Sequence, residues 1–176
     1  MHRKFSAALA ALAVSSFALV VSAQGGKPTD PQIAHIAYTA GNIDIEAAQM
    51  ALKMSKNADV RAFAENMVKD HQTVNKLALD LVKKLGVTPE DNDTSKALAK
   101  GAAAKRDELA KLKGAAFDKA YMENEVAYHK TVNGAVETVL IPSSSNGELR
   151  ALLQQGLKIF KGHQQHAEHT LEKIGK

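Results

Sequence analysis

The sequence predicts an all-α fold, a four-helix bundle with one extra short helix between the second and third long helices. Apolar residues recur at spacings of three and four over long stretches, which is the period of an amphipathic helix. No stretch shows sustained period-two alternation, and aromatic residues make up only 5% of the chain. Turn-forming residues separate the helical stretches at Asn57, Gly86, Gly114 and Pro142–Gly147.

The second helix is the clearest, and it shows one anomaly. Its apolar seam consists of Val60, Ala64, Met67, His71, Val74, Ala78, Leu81 and Leu85. His71 therefore occupies a core position although its side chain is polar. A buried imidazole needs a partner for each ring nitrogen, or a metal ion. The other helices must therefore supply hydrogen-bond partners for His71 or further ligands for a metal ion.

The other helices follow from the same spacing. The first begins at Asp30-Pro31 and runs to about Lys56, and the short helix covers Ser95 to Leu112. The last two run from near Phe117 to about Leu140 and from about Glu148 to Ile174. Short loops make the first pair and the last pair antiparallel hairpins. The long middle connection favours a crossover, as in ferritin-like bundles, over a plain up-and-down arrangement.

The N-terminus predicts export. Residues 1–23 read as a secretory signal peptide, with Arg3 and Lys4 before the apolar stretch Phe5–Val21 and small residues, Val21-Ser22-Ala23, at the cleavage site. Residues 24–29 read as a flexible leader and residues 30–175 as the bundle domain. We therefore expect a periplasmic or secreted protein without a transmembrane span in its mature form.

The composition of the chain argues against several classes of function. The predicted signal removes two basic residues and no acidic one, so the remaining chain is close to neutral, and basic residues are interspersed with acidic ones. Nucleic acid is therefore not an expected partner. The chain has no cysteine, which excludes disulfides and thiolate metal ligands. Any metal must be held by histidine, carboxylate, methionine or backbone groups.

Each long helix carries metal-capable side chains on or beside its apolar stripe. At about 1.5 Å rise per residue they fall at similar heights near the middle of the bundle. Pairs three or four residues apart share one helix face and suit chelation of one ion. The sequence thus predicts a site for one transition-metal ion (Fe, Mn, Zn, Cu or Ni). Its candidate ligands are Glu46, His71, Glu125, His129, His163 and His166.

Two other interpretations stay open at this point. His71 with Glu46 and His129 with Glu125 can form a buried hydrogen-bonded network without metal, in an envelope stress or interaction protein. A redox enzyme is less favoured, because Val68 and Phe160 stand three residues before His71 and His163, where di-iron carboxylate proteins carry glutamate. An enzymatic role is accordingly uncertain and not the preferred reading.

Three stretches carry a family resemblance: VRAFAENMVKDHQTVNKL, GAAFDKAYMENEVAYHKTV and HQQHAEHTL. Together with the Gly41…Glu46 segment they resemble the bacterial domain-of-unknown-function family 4142. The most specific parts are Asp70-His71, the Phe117-Asp118…Tyr121 run that leads to His129, and His163 with Ala167. The resemblance covers roughly Asp30 to Ile174. It implies export and a ferritin-like bundle, and it implies no established activity.

Overall fold

The computed structural model describes residues 26–176, and this part of the chain is all-helical and contains no strand. The predicted signal peptide, residues 1–23, and the first two residues of the predicted leader lie outside the described residues. Within residues 26–176 no helix is both long and apolar enough to cross a membrane. The five α-helices are α1 (Asp30–Met54), α2 (Ala58–Lys84), α3 (Asp93–Leu109), α4 (Gly114–Ala135) and α5 (Gly147–Ile174).

Local sequence signals set the helix ends. Thr29 and Gln32 form a reciprocal capping box at the start of α1, and Pro31 stands in its first turn. The side chain of Asn57 accepts hydrogen bonds at the start of α2, and Asn146 does the same for α5. Helix α4 ends differently. It runs on through a π-helical segment, Val136–Leu140, into a short helical turn, Ile141–Ser143.

The chain path is that of a bundle with a crossover. The backbone N–H of Glu90 donates to the carbonyl of Pro31 (3.0 Å), so the α2–α3 loop lies beside the start of α1. The turn before α5 reaches the same end, since the backbone N–H of Ser145 donates to Oδ1 of Asp30 (2.9 Å). Helix α3 returns along α1 to the other end, where α4 begins. Helices α2 and α4 therefore run parallel, which is compatible with the predicted ferritin-like arrangement.

The apolar core consists of two clusters, one toward each end of the bundle. The first includes Phe63, Met67, Phe117, Tyr121 and Met122, and all five are completely buried. The second cluster surrounds the opposite end, with the members Ile33, Ile36, Val136, Leu140, Leu149, Leu153 and Leu157. Between the two clusters lies a layer of buried polar side chains at mid-bundle height, and this layer contains the candidate site.

Helices α1 and α2 approach each other closely at Gly41. A Cβ atom built on Gly41 would lie 2.3 Å from Oδ1 of Asn75, closer than any real side-chain contact. The Asn75 amide nitrogen donates in turn to Oδ1 of Asn42 (2.9 Å). Glycine is thus required here for space, and the close approach brings α2 and its His71 near α1.

Candidate metal centre

The mid-bundle layer brings together five ionisable side chains from all four long helices. Asp44 comes from α1, His71 from α2, Glu125 and His129 from α4, and His163 from α5. All five are buried, with at most 6% of any residue exposed. Glu125 and His129 lie one turn apart on the same face of α4. Burying so many ionisable groups is costly unless each is paired or bound to a metal.

The three histidines form a triangle of imidazole rings. Their ring centroids are 5.3 Å apart for His71 and His163, 5.6 Å for His129 and His163, and 5.9 Å for His71 and His129. Three imidazoles on one tetrahedral ion, with metal–nitrogen bonds of about 2.0–2.1 Å, would place their centroids roughly 5.3 Å apart. The observed triangle is therefore close to the size that one shared ion requires.

The two carboxylates close the layer on the side of α1 and α4. Asp44 Oδ2 lies 3.3 Å from Nε2 of His71, but the two atoms are not aligned for a hydrogen bond. This separation is about that of two ligand atoms on one tetrahedral ion. Ligand atoms of Asp44, Glu125 and His129 lie within 4.8 Å of one another, and so do those of His71, His129 and His163. His129 belongs to both groups and links them.

Most of the potential ligand atoms have no hydrogen-bond partner. His129 donates from Nδ1 to the carbonyl oxygen of Glu125 (3.0 Å), which leaves its Nε2 free. His163 is held through Nε2 by Asp70, and its Nδ1 is free. Both nitrogens of His71, Oδ1 of Asp44 and Oε2 of Glu125 are also unpartnered. Buried polar atoms are normally hydrogen-bonded, and these free atoms are therefore available as ligands for a metal ion.

Two of the histidines are oriented by a hydrogen bond on the ring nitrogen that faces away from the cluster. Nε2 of His163 lies 3.0 Å from Oδ2 of Asp70, whose side chain is 38% exposed. Metal-binding histidines usually donate their second N–H to a carboxylate or a backbone carbonyl, which fixes the tautomer and the ring orientation. Asp70 does this for His163, and the Glu125 carbonyl does it for His129. The remaining nitrogen of each ring is the one available to a ligand.

Burial sets the protonation of the layer. It lowers the pKa of His71 well below its usual value, and the neighbouring imidazoles lower that pKa further. Burial also lowers the pKa of His129 to about 4. It raises the pKa of Glu125 to about 8. The pKa of Asp44 is raised well above its usual value by burial and, next, by the charge of Glu125. The lowered pKa values of His71, His129 and His163 favour neutral imidazoles at neutral pH. The raised pKa values of Asp44 and Glu125 favour protonation of this hydrogen-bonded carboxyl pair in the metal-free layer.

Two tyrosines flank the carboxylates. The hydroxyl of Tyr128 donates to the carbonyl oxygen of Ala40 (3.1 Å), whereas the hydroxyl of the fully buried Tyr121 has no partner. Burial raises the pKa of both phenols well above the usual value, and the charges of Glu125 and Asp44 add to this effect. Both tyrosines therefore stay protonated, and Tyr121 offers an unused hydrogen-bond donor near the carboxylate side of the layer.

The structure brings four of the six predicted ligands together and leaves two outside. Glu46 does not join the cluster: its side chain is 53% exposed and pairs with Arg106 of α3 at 2.9 Å. Asp44, two residues earlier, is the carboxylate of α1 that lies in the buried cluster. His166 is half-buried and packs edge-on against Phe63, with ring centroids 5.2 Å apart. It is in neither of the two ligand groups.

Asp44 and Asp70 belong to the site but are not among the ligands predicted from the sequence. Asp44 stands four residues after Ala40 and three before Ala47, so it continues the apolar stripe of α1. This signal was present in the sequence. Asp70 directly precedes His71 in the sequence, but its side chain contacts His163 across the α2–α5 interface. No spacing within one helix reveals such a contact.

The fold and the site define the chain as an all-helical bundle with a buried His/carboxylate layer at its middle. The sequence matches the family described as "Domain of unknown function (DUF4142)" over residues 17–170. The chain belongs to this family, as its motifs predicted. No curated protein and no solved structure gives a significant match.

Proposed function

We propose that the protein binds one transition-metal ion in the mid-bundle layer and holds or buffers that ion outside the cytoplasm. The observation that supports this most strongly is the set of buried, unpartnered ligand atoms contributed by all four long helices. The export part of the proposal rests on the predicted signal peptide, residues 1–23. The expected ligands are Asp44, His71, His129 and His163, with Glu125 beside them.

The alternative of a metal-free structural network accounts less well for the layer. Such a network stabilises a core only when its members are satisfied, because a partly satisfied one is worse than an apolar core. Here His71 has no hydrogen bond on either ring nitrogen, although it is 2% exposed. An ion bound to these atoms would remove that cost. The same free atoms that weaken the metal-free core are the ones an ion requires.

The donor set limits the kind of ion. It contains imidazole nitrogens and carboxylate oxygens and no thiolate, which suits zinc, iron, manganese, copper or nickel in the divalent state. With three imidazoles and two carboxylates, the layer supplies two negative charges once both carboxyl groups are deprotonated. This matches the charge of one divalent ion. Among divalent ions the intrinsic affinity is expected to rise from manganese to copper.

Elemental analysis of the purified protein, followed by titration with each divalent ion, tests the proposal. We expect about one ion per chain and a higher melting temperature in its presence, because an ion that binds only the folded state stabilises it. The H71A/H163A double variant should lose this ion. The H169A variant is the matched control, since His169 is exposed on the same helix as His163. Retained stoichiometric binding in the double variant would refute the mid-bundle site.

A further inference from the structure

A small cavity adjoins the candidate metal centre. Its volume is about 60 Å³. It extends from the polar layer into the second apolar cluster, between α1, α2, α4 and α5. Most of its wall is apolar, and it includes the side chains of Val74, Val132, Val136, Leu140, Leu153 and Phe160.

One end of the cavity meets the ligands. Asp44, His71 and His129 all contribute to its lining, whereas Glu125 and His163 do not. The ring of Phe160 stacks on the ring of His71, with centroids 4.6 Å apart and planes within 5°. An ion held by the layer would therefore have the cavity on the side of Asp44, His71 and His129.

The wall of the cavity also contains an irregular segment of helix. Val136 and Leu140 both belong to the π-helical stretch that follows α4. Single π-helical turns within α-helices are uncommon and occur frequently at functional sites. The only helix irregularity of this kind among residues 26–176 thus lies at the cavity next to the cluster.

The dimensions and the lining determine what can enter. An engineered cavity of about 150 Å³ in another protein binds benzene, so by comparison this cavity has room for a molecule of roughly two or three heavy atoms. The apolar walls disfavour ions, because a charge buried without partners is strongly destabilised. They equally disfavour a strongly hydrogen-bonding molecule along most of their length. A small uncharged molecule is the class of ligand that fits.

The geometry points to a binding site for an uncharged diatomic molecule of the size of dioxygen or nitric oxide, lying against the His/carboxylate layer. This inference concerns binding alone. The presence of a metal ion next to the bound molecule rests on the proposed function. The cavity site itself is independent of that proposal. At the polar end of the cavity, such a molecule would come closest to the unpartnered nitrogens of His71 and His129.

Dissolved dioxygen itself is a suitable probe, because it is paramagnetic and speeds the relaxation of nearby nuclei. The metal-free protein, with labelled valine methyl groups, is compared under equal pressures of dioxygen and dinitrogen by NMR. Val136 and Val60 serve as the pair to compare, because both are buried and they belong to different apolar clusters. We expect a relaxation enhancement several-fold larger at Val136 than at Val60.

A cavity-filling variant completes the test. A135V adds two methyl groups at the cavity wall and should abolish the excess enhancement at Val136. A127V makes the same change in the same helix away from the cavity, and should retain it. If A135V fails to fold, A78V fills the wall from α2 instead. Equal enhancement at both valines, or an excess that survives filling, would overturn the site.

The two proposals fail in different ways. An excess at Val136 in a protein that binds no metal would keep the cavity site and overturn the metal centre. Stoichiometric metal binding without the excess would keep the metal centre and overturn the cavity site. Neither result depends on an enzymatic assay.

Discussion

Replacing Asp44 by asparagine tests whether Asp44, rather than Glu46, is the metal ligand that α1 contributes. D44N keeps the shape of a side chain that is 4% exposed and has its Oδ2 atom 3.3 Å from Nε2 of His71. It removes the negative charge that an ion would contact. E46Q makes the same chemical change two residues later, on a side chain that is exposed and paired with Arg106. E46Q is therefore the matched control.

The expected loss follows from the position of Asp44 in the layer. Removing a group that only orients a metal ligand typically lowers affinity about 10–100-fold. Loss of a charged ligand should cost at least the upper figure, about 2.7 kcal/mol. At saturating metal the same free energy disappears from the metal-induced stabilisation. For a chain of this length that corresponds to a melting temperature lower by roughly 5–10 °C.

Without metal, the melting temperatures of the wild type and D44N should fall in the opposite order. The pKa of Asp44 is raised by burial, so its carboxyl stabilises the fold at low pH and loses that contribution as the pH rises toward the raised pKa. Asparagine does not titrate. D44N without metal should therefore melt higher than the wild type at pH 8. Calorimetric titration and melting curves with and without metal give both quantities. Wild-type affinity in D44N, or lost binding in E46Q, would refute the assignment of Asp44.

Three further results are expected. Metal affinity should rise from pH 6 to pH 8, and metal binding should release protons, because Glu125, with a pKa of about 8, must be deprotonated to assist the ion. In E125Q this rise in affinity should flatten, and an unchanged pH profile in that variant would contradict the role of Glu125. D70N should weaken metal binding about 10–100-fold by releasing His163. E65Q, which changes an exposed carboxylate of the same helix, should not weaken it. G41A should lower the free energy of unfolding by about 1–3 kcal/mol through overpacking against Asn75, and N75A should relieve the effect in the double variant; denaturant unfolding measures both.

Most of the fold was available from periodicity. The spacing alone predicts the α2 seam from Val60 to Leu85, and its buried members Val60, Met67 and His71 confirm the inward face. The crossover followed from the length of chain between Gly86 and Phe117. Such features depend on the order of residues within one helix or loop, and the sequence contains that order directly.

The error at Glu46 shows where this reasoning stops. Successive residues in an α-helix are turned by about 100°, so Asp44 and Glu46 point in nearly opposite directions although they lie at similar heights. Height alone therefore did not separate them. Glu46 is a carboxylate at the right height along α1. The helical spacing of Ala40, Asp44 and Ala47 instead indicates that Asp44 faces inward. The contact of Asp70 with His163 depends on how α2 packs against α5, which no single-helix pattern contains.

The arrangement of the core also argues that the polar layer exists for binding. One apolar cluster lies on either side of it, and an apolar layer at mid-bundle would join the two clusters into one core. Instead the chain buries five ionisable groups there, leaves several of their atoms unpartnered, and places a cavity and a π-helical segment beside them. Each of these features weakens the metal-free fold. Their coincidence at one level of the bundle is expected when that level is shaped for an ion and a small molecule.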